Sequence, residues 1–222
     1  GATSCELLLF HRDAEEPFAA LKFPDNYKIG FVYSMIVFGL DIEEFEYAYR
    51  LDGPYDEKKG LRFDKNKILL DPYARAVTGQ SQWGCKNNPQ HSYRARVVQN
   101  NFDWGLERSE PIPMEDLVIY ELHVRGFTKS PSSGVSCPGT FKGLEEKIPY
   151  LKSLGINAVE LMPVFEFDET RDVRLIDQNE LLDYWGYNPV CFFAPNTSYS
   201  SSIEYNREGM ELKRLIKALH DN

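Results

Sequence analysis

Three ionisable side chains occupy alternate positions of the stretch Leu117–Phe127, and their types could support acid–base chemistry. They are Glu121, His123 and Arg125. Apolar residues fill the positions between them, so the period-2 alternation predicts a β-strand with all three groups on one face. Groups that share a face can shift each other's pKa values, as catalytic groups do. A hydrogen-bonded network in the core and a solvated strand face are the alternatives, and the first of these is our interpretation.

Two further carboxylates accompany a second apolar run, Ile156–Pro163. Glu160 lies within the run and Glu166 follows it. Carboxylates can act as general acids or bases in catalysis. We interpret both glutamates as structural or cleft-lining residues, and His220 as a solvated histidine at a helix end.

The loop Asp183–Pro189 carries aromatic residues that could bind a ligand by stacking. It contains Tyr184, Trp185 and Tyr187, with Asn188 beside them. An aromatic ring offers a flat apolar face to the C–H side of a sugar ring, and Gly186 would leave room for that approach. Packing of these rings within an ordinary loop is the alternative. Aromatic residues make up 14% of the chain, and most of them are expected in the core.

The elements that must position these residues follow a strand–helix–strand order. We predict a first strand at 117–124, a helix at 141–154 that ends at Gly155, and a second strand at 156–163 buried on both faces. A parallel βαβ unit results. A long polar loop over 165–183 and a second helix at 208–220 follow.

The residues before this unit have short β-like runs separated by turn signals. Strand candidates are Cys5–Phe10, Lys28–Leu40 and Glu44–Leu51. Such runs without helical periodicity predict an all-β sandwich of about 100 residues. Residues 105–116 form a Pro-punctuated linker, so we place a domain boundary between residues 112 and 113.

Composition excludes several classes of protein. The net charge of −9 argues against nucleic-acid binding. No run approaches the ~18 consecutive apolar residues of a membrane span, and the N-terminus lacks the features of a signal peptide. The cysteines are widely spaced and predict neither a zinc site nor a disulfide framework; they are Cys5, Cys85, Cys137 and Cys191.

Several segments together resemble one family. They are Tyr49–Tyr55, Leu69–Ala74, Asp116–Thr128, Leu154–Pro163 and Asp183–Pro189. In order and spacing they resemble the isoamylase and glycogen-debranching branch of the α-amylase family, over nearly the whole chain. Phe165, Pro189 and Val190 depart from the usual pattern and leave the exact branch open.

The resemblance implies a multidomain β and α/β fold. An immunoglobulin-like sandwich of the glucan-binding-module type would span 1–112, and the first two βα units of an incomplete (β/α)₈ TIM barrel would span 113–222. Tyr187 would stack on the sugar before the cleaved bond, with Trp185 and Asn188 shaping or lining the cleft. Trp83 and Trp104 could form a stacking platform in the sandwich, although core packing is the simpler interpretation.

The catalytic groups of the family would lie outside this sequence. The resemblance places the nucleophilic Asp, the acid/base Glu and the stabilising Asp after later barrel strands, beyond Asn222. No catalytic residue is therefore expected within the chain. We expect an internal fragment, truncated at both ends and inactive alone. No cofactor or metal is expected, although some members of the family have a calcium site.

The implied activity is retaining hydrolysis of α-1,6 branch links in glycogen, amylopectin or limit dextrin. The alternatives are a non-catalytic glucan-binding or regulatory relative, and a branching or trehalose-releasing enzyme of the same family. A cytoplasmic location is expected, or a plastid if the source is a plant. Neither nucleic acid nor a membrane is an expected partner, and the oligomeric state is open.

Overall fold

The computed structural model describes residues 1–80, 82–85, 93–105, 111–202 and 204–222. The chain divides into two compact units. The first comprises Gly1–Thr78 with Asn87–Val98, and the second comprises Gly79–Lys86 with Gln99–Asn222. Part of the predicted linker, residues 106–110, lies outside the described residues, and the domain boundary at 112 stays a prediction.

The first unit is built from antiparallel strands. These are β1 (Ser4–His11), β2 (Ala19–Lys22), β3 (Lys28–Ile29), β4 (Val32–Tyr33), β5 (Phe45–Asp52), β6 (Tyr55–Asp56), β7 (Leu61–Arg62), β8 (Ala76–Val77) and β9 (Ala95–Arg96). The main sheet has the order β2-β1-β5-β9-β8, while β3-β4 and β6-β7 form separate pairs. The strand predictions at Cys5–Phe10 and Glu44–Leu51 are thus confirmed by β1 and β5.

The strands β1 and β5 build the core of the first unit. The two strands pair over their full length, with Ser4 opposite Asp52 and His11 opposite Phe45. Leu8, Phe10 and Ala48 are fully buried and pack in one apolar cluster. The predicted run Lys28–Leu40 forms only the two short strands β3 and β4.

The second unit alternates strands and helices. Its elements are β10 (Ile119–Leu122), α1 (Val124–Thr128), α2 (Phe141–Glu145), α3 (Ile148–Ser153), β11 (Ala158–Leu161), β12 (Phe165–Phe167), β13 (Arg174–Ile176), β14 (Asn179–Leu181), β15 (Pro189–Pro195) and α4 (Arg207–His220). Short 3₁₀ turns connect several elements of both units: Asp25–Tyr27, Glu57–Lys59, Met114–Asp116, Pro131–Ser133 and Thr197–Tyr199.

A parallel pair of strands opens the second unit, as predicted. Ile119 of β10 lies opposite Ala158 of β11, and Leu122 lies opposite Leu161. The predicted burial of the second strand on both faces is wrong, because Glu160 is exposed and the rest of β11 is only half-buried. That the pair begins a (β/α)₈ barrel stays a prediction.

Two predicted elements are shorter than expected. The first strand ends at Leu122, because His123 already caps the N-terminus of α1. The predicted helix 141–154 is interrupted: α2 ends with its cap at Glu146, and α3 begins after Lys147 with a proline in its first turn. Proline is tolerated there because first-turn N–H groups have no partner within the helix.

The predicted polar loop 165–183 is wrong, since this region contains three strands. β12 pairs with β15, and β13 forms a hairpin with β14. Asp177 and Gln178 join the hairpin, with φ of 49° and 66°. Positive φ at both central residues defines a type I′ turn, for which Asn-Gly is the common sequence signal. An Asp-Gln turn carries no such signal.

Aromatic residues are the largest fully buried side chains in the core of the second unit. Phe141, Phe167 and Tyr199 are fully buried and pack with apolar residues of β10, α2, α3 and α4. α4 confirms the predicted helix at 208–220 and contributes the fully buried Leu215. No helix in the described part of the chain is both long and apolar enough to cross a membrane.

Candidate substrate-binding loop

The predicted aromatic residues are brought together on the loop that joins β14 to β15. Tyr187 is 67% exposed and Trp185 is 54% exposed. Asn188 is also exposed, and its side-chain amide donates a hydrogen bond of 3.4 Å to the Asp172 carboxylate. The loop therefore presents two large rings and one amide to its surroundings.

Gly186 holds the loop close to the core. Its φ is 79°, and a Cβ at this position would lie 2.4 Å from the Phe167 ring. Only glycine combines this left-handed conformation with so close an approach. The space beside Gly186 is thus filled by Phe167, which corrects the expectation that this glycine leaves room for a sugar.

Tyr184, which is 38% exposed, lies at the start of the same loop. Its ring stacks on His123, with centroids 4.0 Å apart and planes 10° apart. A Cβ on Gly126 would lie 1.9 Å from the Tyr184 hydroxyl, so the ring also lies across the first turn of α1. Trp185 packs edge-on against Tyr184, with centroids 5.3 Å apart.

His123 makes a defined hydrogen bond through each ring nitrogen. Nε2 lies 2.7 Å from the Tyr184 carbonyl oxygen, which can only accept, so Nε2 carries the proton. Nδ1 accepts from the Gly126 N–H at 3.1 Å, so Nδ1 is unprotonated. The Tyr199 hydroxyl oxygen lies 3.2 Å from Nε2 and can share its proton.

The imidazole of His123 is therefore neutral. Burial lowers its pKa first, and the nearby Arg125 guanidinium lowers it further, while the bond to the Tyr184 carbonyl opposes both effects. A proton added at Nδ1 would point at the Gly126 N–H and break the cap of α1.

The other polar groups of Leu117–Phe127 do not join His123 in one network. Glu121 is exposed, which contradicts its expected place in a core network. Arg125 lies on α1, with its guanidinium 4.6 Å from the centre of the Trp83 ring, and burial lowers its pKa. The strand prediction failed here because α1 begins immediately after His123.

Glu166 is a buried titratable group that sequence patterns did not distinguish. One carboxylate oxygen accepts from the Thr197 backbone N–H at 2.7 Å. Burial, the largest cause, raises its pKa to about 8, although the hydrogen bonds from Thr197 oppose this. Glu160, its predicted companion, is exposed.

The two tryptophans considered for a stacking platform belong to the second unit. Trp83 stacks on Tyr199 with centroids 6.0 Å apart and meets Phe167 edge-on. Trp104 is partly exposed and packs against Phe102 at 4.6 Å. Trp83 is therefore a core residue.

The described residues hold no cluster of three or more histidine, cysteine, aspartate or glutamate side chains able to bind a metal. All four cysteines are free thiols; they are Cys5, Cys85, Cys137 and Cys191.

Known proteins of related sequence include isoamylases and a glycogen debranching enzyme. Isoamylase 1 of the Arabidopsis thaliana chloroplast is 37% identical over 207 residues, covering 89% of this chain and 26% of the relative. Isoamylase 3 of the Oryza sativa subsp. japonica chloroplast is 40% identical over 203 residues, covering 87% of this chain and 26% of the relative. A glycogen debranching enzyme of Yersinia enterocolitica is 37% identical over 189 residues, covering 78% of this chain and 28% of the relative.

Solved structures of similar fold include pullulanases. Type I pullulanase of Bacillus subtilis, complexed with maltose, has a TM-score of 0.69 at 27% identity, covering 99% of this chain and 29% of that chain. Pullulanase of Bacillus acidopullulyticus has a TM-score of 0.72 at 26% identity, covering 99% of this chain and 26% of that chain.

No family model matches the sequence. The chain spans about a quarter of the length of the curated relatives named above, 26% to 28%. Its similarity to them nevertheless extends over most of its own residues, 78% to 89%. The chain belongs to the isoamylase and glycogen-debranching branch of the α-amylase family.

Proposed function

We propose that the protein containing this chain is a debranching glycoside hydrolase that cleaves α-1,6 branch links of glycogen, amylopectin or limit dextrin. The observation that carries the proposal is the similarity to isoamylases and to a glycogen debranching enzyme over 78% to 89% of the chain. The likeness to a pullulanase complexed with maltose supports an α-glucan as the substrate.

The two parts of the chain would have different tasks. Residues 1–112 would form an immunoglobulin-like β-sandwich of the glucan-binding-module type, which the antiparallel sheet of the first unit supports. Residues 113–222 would form the first two βα units of a (β/α)₈ barrel, which the parallel pair β10–β11 supports. Barrel enzymes carry their active sites on the loops after the strands.

Within this architecture Tyr187 would stack on the sugar bound before the cleaved bond. Its exposed ring stands on a loop in which Tyr184 stacks on the buried His123, so the ring is available while its backbone is constrained. Trp185 and Asn188 would line the same cleft. Binding sites combine aromatic faces with a few placed polar groups in this way.

The reaction itself would be retaining. Two carboxylates about 5 Å apart would act as nucleophile and as acid/base, and both would be supplied by residues beyond Asn222. The part of the molecule in this chain would bind and orient the glucan and would need no cofactor. Neither nucleic acid nor a membrane is a proposed partner, and the cytoplasm or a plastid is the proposed location.

The full-length protein incubated with glycogen should release linear oligosaccharides, detected by chain-length analysis. Release of none would contradict debranching. Glucan binding without any product would favour the non-catalytic relative. Transfer of chains or release of trehalose would instead indicate the branching or trehalose-releasing activities.

Tyr187→Ala tests the proposed stacking contact. Loss of the ring face should raise KM for a branched glucan about tenfold, the equivalent of about 1.4 kcal/mol, with a small change in kcat because the contact exists before and during the reaction. Tyr187→Phe should retain wild-type KM. Tyr73→Ala removes another exposed tyrosine, in the first unit, and serves as the control. An unchanged KM in Tyr187→Ala would exclude this residue as a sugar contact.

A further inference from the structure

We propose that His123 is a positioning residue, which fixes the loop Tyr184–Asn188 by joining the Tyr184 carbonyl to the first turn of α1 through one imidazole. The consequence for substrate rests on the proposed role of Tyr187 in glucan binding. The positional role of His123 does not, because it follows from contacts within this chain.

His123 joins two segments that lie far apart in sequence. Nδ1 accepts from Gly126, three residues away, and Nε2 donates to Tyr184, 61 residues away. The buried ring supplies one acceptor and one donor, and each has one directed backbone partner. A side chain with only a donor or only an acceptor could satisfy one of these bonds.

Aromatic side chains surround the imidazole of His123. Tyr184 covers one face at 4.0 Å, and Tyr199 meets the ring edge-on at 5.8 Å. Trp185, the next residue of the loop, also meets it edge-on at 6.5 Å. The ring is therefore held by packing as well as by hydrogen bonds, and its orientation determines where the Tyr184 backbone lies.

In the described part of the chain, the loop has few other hydrogen bonds. Asp183 is bonded through its N–H to the Glu169 carbonyl at 2.9 Å. Within the loop, the Gly186 N–H donates to the Asp183 carboxylate at 3.3 Å. The Asn188 amide adds a bond of 3.4 Å to the Asp172 carboxylate. These bonds tie the loop to Asp183 and to residues 169–172, which follow β12. The bond from His123 ties it to the end of β10, where barrel enzymes place their active sites.

Two substitutions separate the functions of the two nitrogens. Asparagine places its amide oxygen near the position of Nδ1, so His123→Asn can retain the Gly126 bond but cannot reach Tyr184. Glutamine places its amide nitrogen near the position of Nε2, so His123→Gln can retain the Tyr184 bond but offers no acceptor to Gly126. Both variants lose the aromatic ring, so each is the matched control of the other.

The first measurement is hydrogen–deuterium exchange of a peptide covering residues 183–188 in the full-length protein. His123→Asn should accelerate exchange about tenfold, because a lost anchor permits local opening. His123→Gln should exchange like the wild type. Equal acceleration in both variants, or none in either, would overturn the proposal and leave His123 as a capping and packing residue.

The second measurement is steady-state kinetics on a branched glucan. His123→Asn should raise KM about tenfold while kcat changes less than threefold, since a misplaced Tyr187 weakens binding throughout the reaction. His123→Gln should keep KM within threefold of wild type. The reverse order of the two variants would overturn the inference. A wild-type protein without debranching activity would contradict the proposed function alone, because the exchange experiment needs no turnover.

Discussion

Glu46 of the first unit and Glu166 of the second are both glutamates buried in a strand, 3% and 1% exposed respectively. Glu46 lies 3.3 Å from Arg94, whose guanidinium also lies over the Phe10 ring and donates to the carbonyl oxygens of Ala14 and Glu15. The first unit thus buries a carboxylate together with a cation and gives that cation further acceptors.

The surroundings of Glu166 are different. Its hydrogen bonds come from the neutral Thr197, and the charged groups that act on it in the described part of the chain are the acidic Glu169 and Glu208. Burial raises the pKa of both glutamates, but Arg94 opposes the effect at Glu46. At Glu166 the pKa rises to about 8.

The two units compensate for a buried carboxylate in different ways. Burying a carboxylate in its charged form costs free energy of folding. The first unit offsets this cost with a partner residue, whereas the second offsets it with a bound proton. The first solution is vulnerable to substitution of the partner, and the second is vulnerable to a rise in pH.

The largest effect is expected from Glu166→Gln at high pH. The folded-state pKa lies above the unfolded value, so wild-type stability falls as pH rises from about 4.5 to 8 and stays low above it. The full loss is about 5 kcal/mol, at roughly 1.4 kcal/mol per pKa unit. Glu166→Gln should remove this dependence and be more stable than wild type at pH 9, as measured by urea unfolding at pH 5, 7 and 9.

Glu160→Gln is the matched control, since Glu160 also lies on a strand of the second unit but is exposed. Its urea midpoints should follow those of the wild type at every pH. If Glu166→Gln and wild type had parallel pH profiles, Glu166 would be ionised in the folded protein and the contrast with Glu46 would not hold.

Arg94→Met should have the next largest effect. Removing one member of a buried pair leaves an uncompensated charge and costs about 3–5 kcal/mol. The variant should also make Glu46 resemble Glu166, so that the loss is larger at pH 9 than at pH 5, where Glu46 can take up a proton. Thermal and urea midpoints at the two pH values measure both effects.

The surface pair of the same sheet provides the control for Arg94→Met. Arg50 and Glu6 are 3.4 Å apart, close to the 3.3 Å of the buried pair, but their side chains are partly exposed. Arg50→Met should cost less than about 1 kcal/mol because solvent screens the pair. Adding Glu46→Gln to Arg94→Met should abolish the pH dependence. Equal losses in the Arg50 and Arg94 variants would mean that burial does not distinguish the two pairs.

Sequence alone predicted the elements with long and regular patterns. β1, β5 and α4 lie where their periodicity placed them, and the parallel pairing of β10 with β11 followed from the strand–helix–strand order. Local periodicity determines the type of these elements, but not every side-chain environment within them, since Glu46 of β5 is buried beside the distant Arg94. The same reasoning placed the aromatic residues of 184–187 together on one loop, although their binding of glucan stays a prediction.

The remaining features depend on contacts between distant segments. β12 was missed because its partner β15 begins more than 20 residues later, after a hairpin with an Asp-Gln turn. The bond from His123 to Tyr184 spans 61 residues, so nothing adjacent to His123 indicates it. Glu166 carries no local sign of burial either, because its environment is formed by Thr197 and by the core of the second unit.

The smallest effect is expected from Thr197→Val, which probes how the neutral donors act on Glu166. The Thr197 hydroxyl hydrogen-bonds the Glu166 side chain and accepts from the Gln80 N–H at 2.8 Å. Its loss should cost about 1 kcal/mol at pH 7 and raise the pKa of Glu166 further, so stability should fall more steeply toward pH 9.

Thr197→Ser keeps the hydroxyl and should match the wild type in urea unfolding at each pH. If the valine and serine variants have the same pH profile, the backbone N–H of Thr197 is sufficient for Glu166. If only the pH profile of the valine variant shifts, the Thr197 hydroxyl moderates the titration of Glu166, as the buried Arg94 does for Glu46 in the first unit.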